Sequence, residues 1–325
     1  MGKIDVEAKK YLSNNEIFAD AFNFLLYNGE EIIKADKLEE LDTTEFSIPF
    51  GNKERKPVQK YRDIMKIWNA MMDDNAIYVI LGAEIQDKVH YGMPVKDGLY
   101  DMLGYSKQIE EKRRVYRKKD NELRDEGGAL VSDDGVLKIK LTSEEFLSGL
   151  RKGDKLRPII TAVIYLGEEA WDGPRCLFDM LDVKDKRLYN YLSDYKLNII
   201  SPADIEDEDF DKFHSELGFV MRLIKHQSDD VKAIIEDTDN RLFSTDTAYF
   251  LKSTINLDLE YDEDEGGVDM CKGLEKSFKE ERVKGAIEGM RIANMSEKDV
   301  INNIIQNFDV TEEYVLGIIE QEMES

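Results

Sequence analysis

The chain has 325 residues, enough for one large domain plus an appendage or for two domains, and its 69 acidic against 45 basic side chains give a formal net charge of −24. Its two cysteines, Cys176 and Cys271, are far apart, which excludes a disulfide-stapled scaffold, argues against a thiolate metal site and suggests a reducing cytoplasm. No apolar run approaches the roughly 20 residues that span a bilayer, and no apolar N-terminal segment follows a basic start, so a soluble, cytoplasmic protein without membrane contact is expected.

A protein that grips nucleic acid usually presents basic groups to the phosphates, and the overall charge opposes this. The charge is unevenly spread, however. Residues 112–119 read Lys-Arg-Arg-Val-Tyr-Arg-Lys-Lys, and Lys53, Arg55, Lys56, Lys60, Arg62 and Lys66 form a second basic stretch, whereas acid gathers at 204–211 and 262–265. Either basic run is equally compatible with an ordinary solvated face.

Taken in order, Asn15 to Asn28 has Ile17, Phe18, Ala21, Phe22, Leu25 and Leu26 at helical spacing, and Gly29 supplies a stop. Glu16, Asp20 and Asn23 lie near the opposite stripe, where Asp20 could add a carboxylate to a site. Residues 35–60 are polar, contain Pro49, Gly51 and Pro57, and read as loop and short strands.

The central feature follows. Asp63 precedes a β-branched apolar run, Ala76 to Leu81, that ends in Gly82-Ala83-Glu84-Ile85-Gln86-Asp87-Lys88. On a strand, side chains alternate, so Ile80, Gly82, Glu84, Gln86 and Lys88 share a face that turns polar at its end, while Val79, Leu81, Ala83 and Ile85 share an apolar one. This is the layout of a carboxylate metal site at a sheet edge.

His90 to Pro94 reads as a turn, with Pro94 in the first turn of a helix that runs to about Lys119 and turns Leu99, Met102, Leu103 and Ile109 inward. Lys96 and Tyr100, four apart, fall together and can point at whatever Glu84 holds. Val136 to Leu141 alternates as a surface strand, and Arg157 to Leu166 is a second buried strand ending at Gly167. Phe210, Phe213, Leu217, Val220 and Ile224 predict a buried stripe on a helix between 208 and 236. His214 and His226, twelve apart with no third partner at metal spacing, read as structural or exposed. His90 lies closer to the site, but a structural reading is favoured for it too.

The acidic Tyr261 to Gly267 run suggests a boundary between a domain of residues 1–260 and a helical tail of 268–325. The tail should contain a helix from Val268 to about Ala293 and two short helices, Glu297 to Asn307 and Glu312 to Met323, with Ser296 and Thr311 as caps. The last helix is acidic and poorly suited to a DNA groove. Packing or self-association, hence a homo-oligomer, suits it better.

Dinucleotide, P-loop, zincin and α/β-hydrolase motifs are absent. What remains is Asp63 with Glu84-x-Gln86, whose carboxylate oxygens suit Mg²⁺ or Mn²⁺. Together with Arg62-Asp63, the blocks Leu81 to Gln86, His90 to Tyr105, Pro158 to Pro174 and Met270-Cys271-Lys272 give the chain a resemblance, in the same order over most of its length, to the recombination-promoting nuclease or putative transposase family of the PD-(D/E)XK nuclease superfamily.

The resemblance implies an α/β, restriction-endonuclease-like core with a mixed central sheet flanked by helices, and an activity as a metal-dependent DNA endonuclease. It further implies that Asp63 and Glu84 bind the metal and that Gln86 stands where the superfamily has its catalytic Lys. A neutral amide orients water or phosphate but brings no positive charge, so Lys88 or Lys96 would have to supply it. The expected site is therefore Asp63, Glu84, Gln86 and Lys88, with Lys96, Tyr100, Arg113, Arg114 and Arg117 on the DNA. A catalytically weak nuclease fold used as a binding or assembly module is the alternative.

Overall fold

The fold is described from a computed structural model, which covers residues 3–41, 44–47, 58–61, 63–72, 75–122, 142–229, 231–236, 241–255, 257, 267–292, 295–308 and 310–324. The chain divides into two compact units, Met1–Lys225 and His226–Ser325. Arg62, the expected strand at 136–141 and the acidic residues 261–266 that suggested a boundary lie outside the described residues.

The first unit is built on a mixed five-stranded sheet flanked by helices. Its strands are β1 (Leu38–Glu40), β4 (Ile64–Met72), β5 (Asn75–Gln86), β6 (Ile159–Tyr165) and β7 (Asn198–Ile200), in the order β1-β4-β5-β6-β7. The strands β2 (Thr44–Ser47) and β3 (Val58–Tyr61) form a separate antiparallel pair. β4 and β5 are antiparallel, which sets Ile64 opposite Ala83, whereas β5, β6 and β7 run parallel, with Val163 beside both Glu84 and Ile199. A parallel pair needs a long crossover, and α3 (Met93–Glu122) with α4 (Ser143–Ser148) falls within the one between β5 and β6.

One face of the sheet meets α1 (Lys3–Leu12) and α2 (Asn15–Tyr27). The α2 boundaries follow the sequence closely: Asn14 accepts from the Glu16 amide at 2.8 Å, and Asn28 and Gly29 take left-handed conformations at φ 53° and 91°. Asp20 is buried but does not reach Glu84. Its carboxylate accepts from the amides of His214 and Ser215 at 2.9–3.1 Å and from the Ser215 hydroxyl at 2.5 Å. This anchoring breaks the helix expected between 208 and 236, because a short 3-10 turn over Asp207–Lys212 and an extended Phe213 precede α5 (Leu217–Lys225). The five stripe residues from Phe210 to Ile224 are all buried nonetheless.

Lys66 also departs from expectation, since it belongs to no basic surface. It projects from β4 toward the α1–α2 junction, fully buried, donates to the Ser13 carbonyl at 2.6 Å and to the Asn15 side chain, and lies 5.3 Å from the Phe18 ring centre. Burial lowers its pKa, and the Glu40 charge 3.9 Å away only partly opposes that.

The second unit contains α6 (Val231–Glu236), β8 (Leu242–Phe243) paired antiparallel with β9 (Val268–Asp269), α7 (Thr245–Ile255), α8 (Met270–Ile292), α9 (Glu297–Phe308) and α10 (Glu312–Glu324). The last three helices share a core of Val283, Ile287, Val300, Ile304, Val315, Ile318 and Ile319. Ser296 accepts from the Asp299 amide at 3.3 Å and Thr311 from the Tyr314 amide at 3.2 Å, so both expected caps form. Among the described residues, no helix is long and apolar enough to cross a membrane.

Candidate active site

The face of the sheet opposite α1 and α2 is covered by α3, and here the sequence expectation of an apolar contact surface holds only in part. Of the four residues expected to face inward, Leu103 is buried and Ile109 half-buried, while Leu99 is 42% and Met102 60% exposed. What α3 turns toward the sheet is Met93, Asp97, Tyr100 and Asp101, with Lys96 half-buried beside them. Burying polar groups is costly unless they find partners; the sheet supplies one to Lys96 in Glu84 and one to Asp101 in Thr161.

Glu84 is the centre. Its place deep on β5 leaves it 1% exposed, and its Oε2 lies 2.7 Å from Lys96 Nζ, on the first turn of α3. Lys96 Nζ is also 5.7 Å from the centre of the Tyr100 ring, so the i, i+4 pairing expected from the sequence forms. Burial by itself would lower the Lys96 pKa. The charge and hydrogen bond of Glu84 outweigh it, with further help from Tyr100 and Asp63, and the net shift is upward.

Asp63 stands at the bend just before β4, and its Oδ2 accepts from the Ile85 amide at 2.9 Å. Because β4 and β5 are adjacent and antiparallel, the start of one strand meets the end of the other. The two carboxylates, well separated in sequence, are thereby brought to one corner of the sheet, with the Lys96 ammonium within electrostatic reach of both.

The remaining expected residues are placed differently. Gln86 ends β5, and its side-chain amide donates to the Ile85 carbonyl at 2.6 Å. Lys88 lies in the bend beyond the strand and is exposed, because the alternation that would carry it onto the Glu84 face stops at Gln86. Arg113, Arg114 and Arg117 lie on the distal part of α3, roughly 25 Å or more along the axis from Lys96 at 1.5 Å per residue. Arg113 pairs with Glu110 at 2.8 Å and fills the space beside Gly149, a residue at φ 71°, while Arg114 and Arg117 are exposed. Those three are thus not gathered with Glu84. Of the histidines, His90 is exposed, His214 Nε2 contacts the Gly29 carbonyl at 2.9 Å, and His226 Nδ1 lies 3.0 Å from Asp229.

Sequence reasoning missed a second polar group beside Glu84. Thr161, on β6 next to Gly82, donates to Asp101 Oδ1 at 2.8 Å, and the Tyr195 hydroxyl donates to Asp101 Oδ2. Asn198 adds a 2.9 Å bond to the Thr161 carbonyl. Gly98 makes the approach of Tyr195 workable, since a Cβ there would come within 3.2 Å of its ring. The only sequence signal was Asp97 and Asp101 at i, i+4 within a helix whose apolar residues do not form one clean stripe. Among the described residues, no three Asp, Glu, His or Cys side chains gather as a ligand set.

Compared with known proteins, residues 143–249 match the family model described as "Putative transposase, YhgA-like". The match covers about a third of the chain, including β6, β7, the helices α4 to α6 and the start of α7, but not Asp63, Glu84 or α3. Over that span the chain is similar to a transposase-like family. No curated protein and no solved structure gives a significant match.

Proposed function

We propose that the chain is a divalent-metal-dependent DNA endonuclease of transposase-like type, with a restriction-endonuclease-like core that hydrolyses phosphodiester bonds at the Asp63–Glu84 corner. The observation that carries this reading is the convergence of the two carboxylates, one just before β4 and one on β5, with Asp63 fastened to the amide next to Glu84 and Lys96 held at 2.7 Å. The match to a family described as transposases supports a DNA-related role. It joins the site through β6, whose Thr161 and Val163 lie beside Gly82 and Glu84.

Asp63 and Glu84 would hold Mg²⁺ or Mn²⁺. The donor set fits, because such ions are commonly held by one or two carboxylates, with water and substrate phosphate completing the shell. When bound, the ion lowers the pKa of a coordinated water and offsets charge on the phosphodiester. The chain's own residues then have distinct tasks. Glu84, buried and paired with Lys96, would hold the cation together with Asp63, whose carboxylate the Ile85 amide fixes at 2.9 Å. Lys96 supplies the positive charge that Gln86 lacks, and the Tyr100 ring guides its head toward a phosphate oxygen. Gln86 orients water. Lys88 and, further along α3, Arg114 and Arg117 contact the DNA backbone.

The test is nicking of supercoiled DNA by the purified protein with Mg²⁺ or Mn²⁺, beside Asp63→Ala and Glu84→Ala. Activity should be lost in both variants; equal activity in all three proteins would identify a contaminating nuclease and sink the assignment. The net charge of −24 and the neutral Gln86 favour a second reading, a nuclease-fold binding or assembly module with self-association through residues 268–325. Calorimetric binding of Mn²⁺ that disappears in Glu84→Ala speaks for the enzyme, and binding indifferent to that change for the module. Light scattering that gives the same monomer mass with and without the tail would remove the oligomer.

A further inference from the structure

We propose that Lys96 is a built-in competitor for the metal position on Glu84, so that binding of a divalent cation and release of the Lys96 ammonium toward the substrate are one exchange. The inference rests on the metal-site reading above and adds to it an order of events.

Three features carry it. Glu84 is 1% exposed and its Oε2 is 2.7 Å from Lys96 Nζ, so the ammonium stands at hydrogen-bond distance on the same buried carboxylate that the metal would use. Two cations at that distance from one oxygen would repel each other strongly in a buried setting. The partners differ in freedom. Glu84 is locked within the sheet between β4 and β6, whereas the Lys96 side chain is 28% exposed and stands on the first turn of α3, so the lysine is the partner able to leave.

The head group also keeps a partner if it leaves Glu84, because the Tyr100 ring already lies 5.7 Å from Nζ and can go on holding a cation by its face. Asp63 does not depend on Lys96 for its orientation, being tied to the Ile85 amide at 2.9 Å, so one carboxylate stays in position throughout the exchange. The ammonium would therefore neutralise a buried carboxylate before the metal arrives, and afterwards serve the phosphate. A protein whose competent state must first displace an internal ion binds its ligand with reduced apparent affinity.

Two measurements on the full-length, chelator-treated protein decide the matter. Calorimetry should give Lys96→Met an Mn²⁺ affinity about tenfold or more above that of the unaltered protein, with Lys96→Arg close to it. In the unaltered protein, acetylation of Lys96 by a soluble amine reagent, read by peptide mass spectrometry, should rise at saturating Mn²⁺ while other lysines stay level. The labelling experiment stands even if Lys96→Met fails to fold. Unchanged or weaker Mn²⁺ binding in Lys96→Met, or labelling of Lys96 that Mn²⁺ leaves unmoved, overturns the exchange. If binding in the unaltered protein is at the same time abolished by Glu84→Gln, the metal site stands and only the exchange falls. Mn²⁺ binding to neither protein overturns the metal-site reading and the exchange with it.

Discussion

Helix α3 and the helices α8 to α10 each bury one face, but the faces differ in kind, apolar in α8 to α10 and mixed in α3, where Met93 and Leu103 are buried alongside Asp97, Tyr100 and Asp101. In the second unit, Val283 with Ile287, Val300 with Ile304, and Val315 with Ile318 and Ile319 turn apolar stripes toward one another, and their polar faces go to water. In α3, much of the apolar stripe, Val95, Leu99 and Met102, is exposed, while Asp97, Tyr100 and Asp101 are buried against the sheet. The difference lies in what each helix finds opposite it. A helix that meets other helices gains by burying hydrocarbon, whereas one that covers the β5 and β6 face bearing Glu84 and Thr161 gains also by pairing Lys96 with the first and Asp101 with the second.

This contrast can be broken by substitution. The largest effect is expected in the helical core, where Ile304→Ala removes a fully buried side chain and should cost about 2–5 kcal/mol in urea denaturation. A smaller loss, about 1–3 kcal/mol, is expected for Asp101→Ala, which deprives the Thr161 and Tyr195 hydroxyls of their acceptor. Asp101→Leu sharpens the contrast, because it restores an apolar residue at an inward position and should still destabilise; a gain in stability would show that α3 buries polarity only by accident of sequence.

Third comes a pH effect further along α3. The Tyr116 hydroxyl donates to Asp154 at 2.6 Å, and with the Arg151 amide and Lys112 it holds the Asp154 carboxyl below its ordinary value of 3.8. A depressed folded-state pKa means stability that is present at neutral pH and lost as pH falls below about 4. Asp154→Asn should therefore be less stable than the unaltered protein at pH 7, with the gap narrowing as pH falls below about 4, as read from thermal melts; a gap that does not narrow on acidification would assign the loss to packing. The smallest effect belongs to Leu99→Gln and Met102→Gln, which should stay within about 0.5 kcal/mol because both side chains are exposed. A loss on the scale of Ile304→Ala would mean that this stripe is covered after all.

Much of the fold was legible beforehand. The α2 boundaries, the strands Asn75–Gln86 and Ile159–Tyr165, and the tail helices with their caps all follow from local pattern and cap chemistry. The site was legible in part. Asp63, Glu84 and the Lys96–Tyr100 pair could be singled out because strand alternation and helical spacing are local rules. Thr161, Asp101 and Tyr195 could not, because their meeting depends on β6 docking beside β5 and on the loop that carries Tyr195 reaching Gly98. Lys66 was misread for the same reason: nothing near it in the chain reveals Ser13 and Asn15 above it.

The sequence alone determined where strands and helices form, because periodicity, capping and turn residues act within a few positions along the chain. It also singled out Asp63 and Glu84 as candidate metal ligands. Only the tertiary structure decided between Lys88 and Lys96 as the cation beside Glu84, which face of α3 turns inward, and that Arg113 and its neighbours lie far from the carboxylates. Those outcomes depend on desolvation and on partners brought together across the sheet, and a buried charge settles where its counter-charge is, whatever the distance between them in sequence.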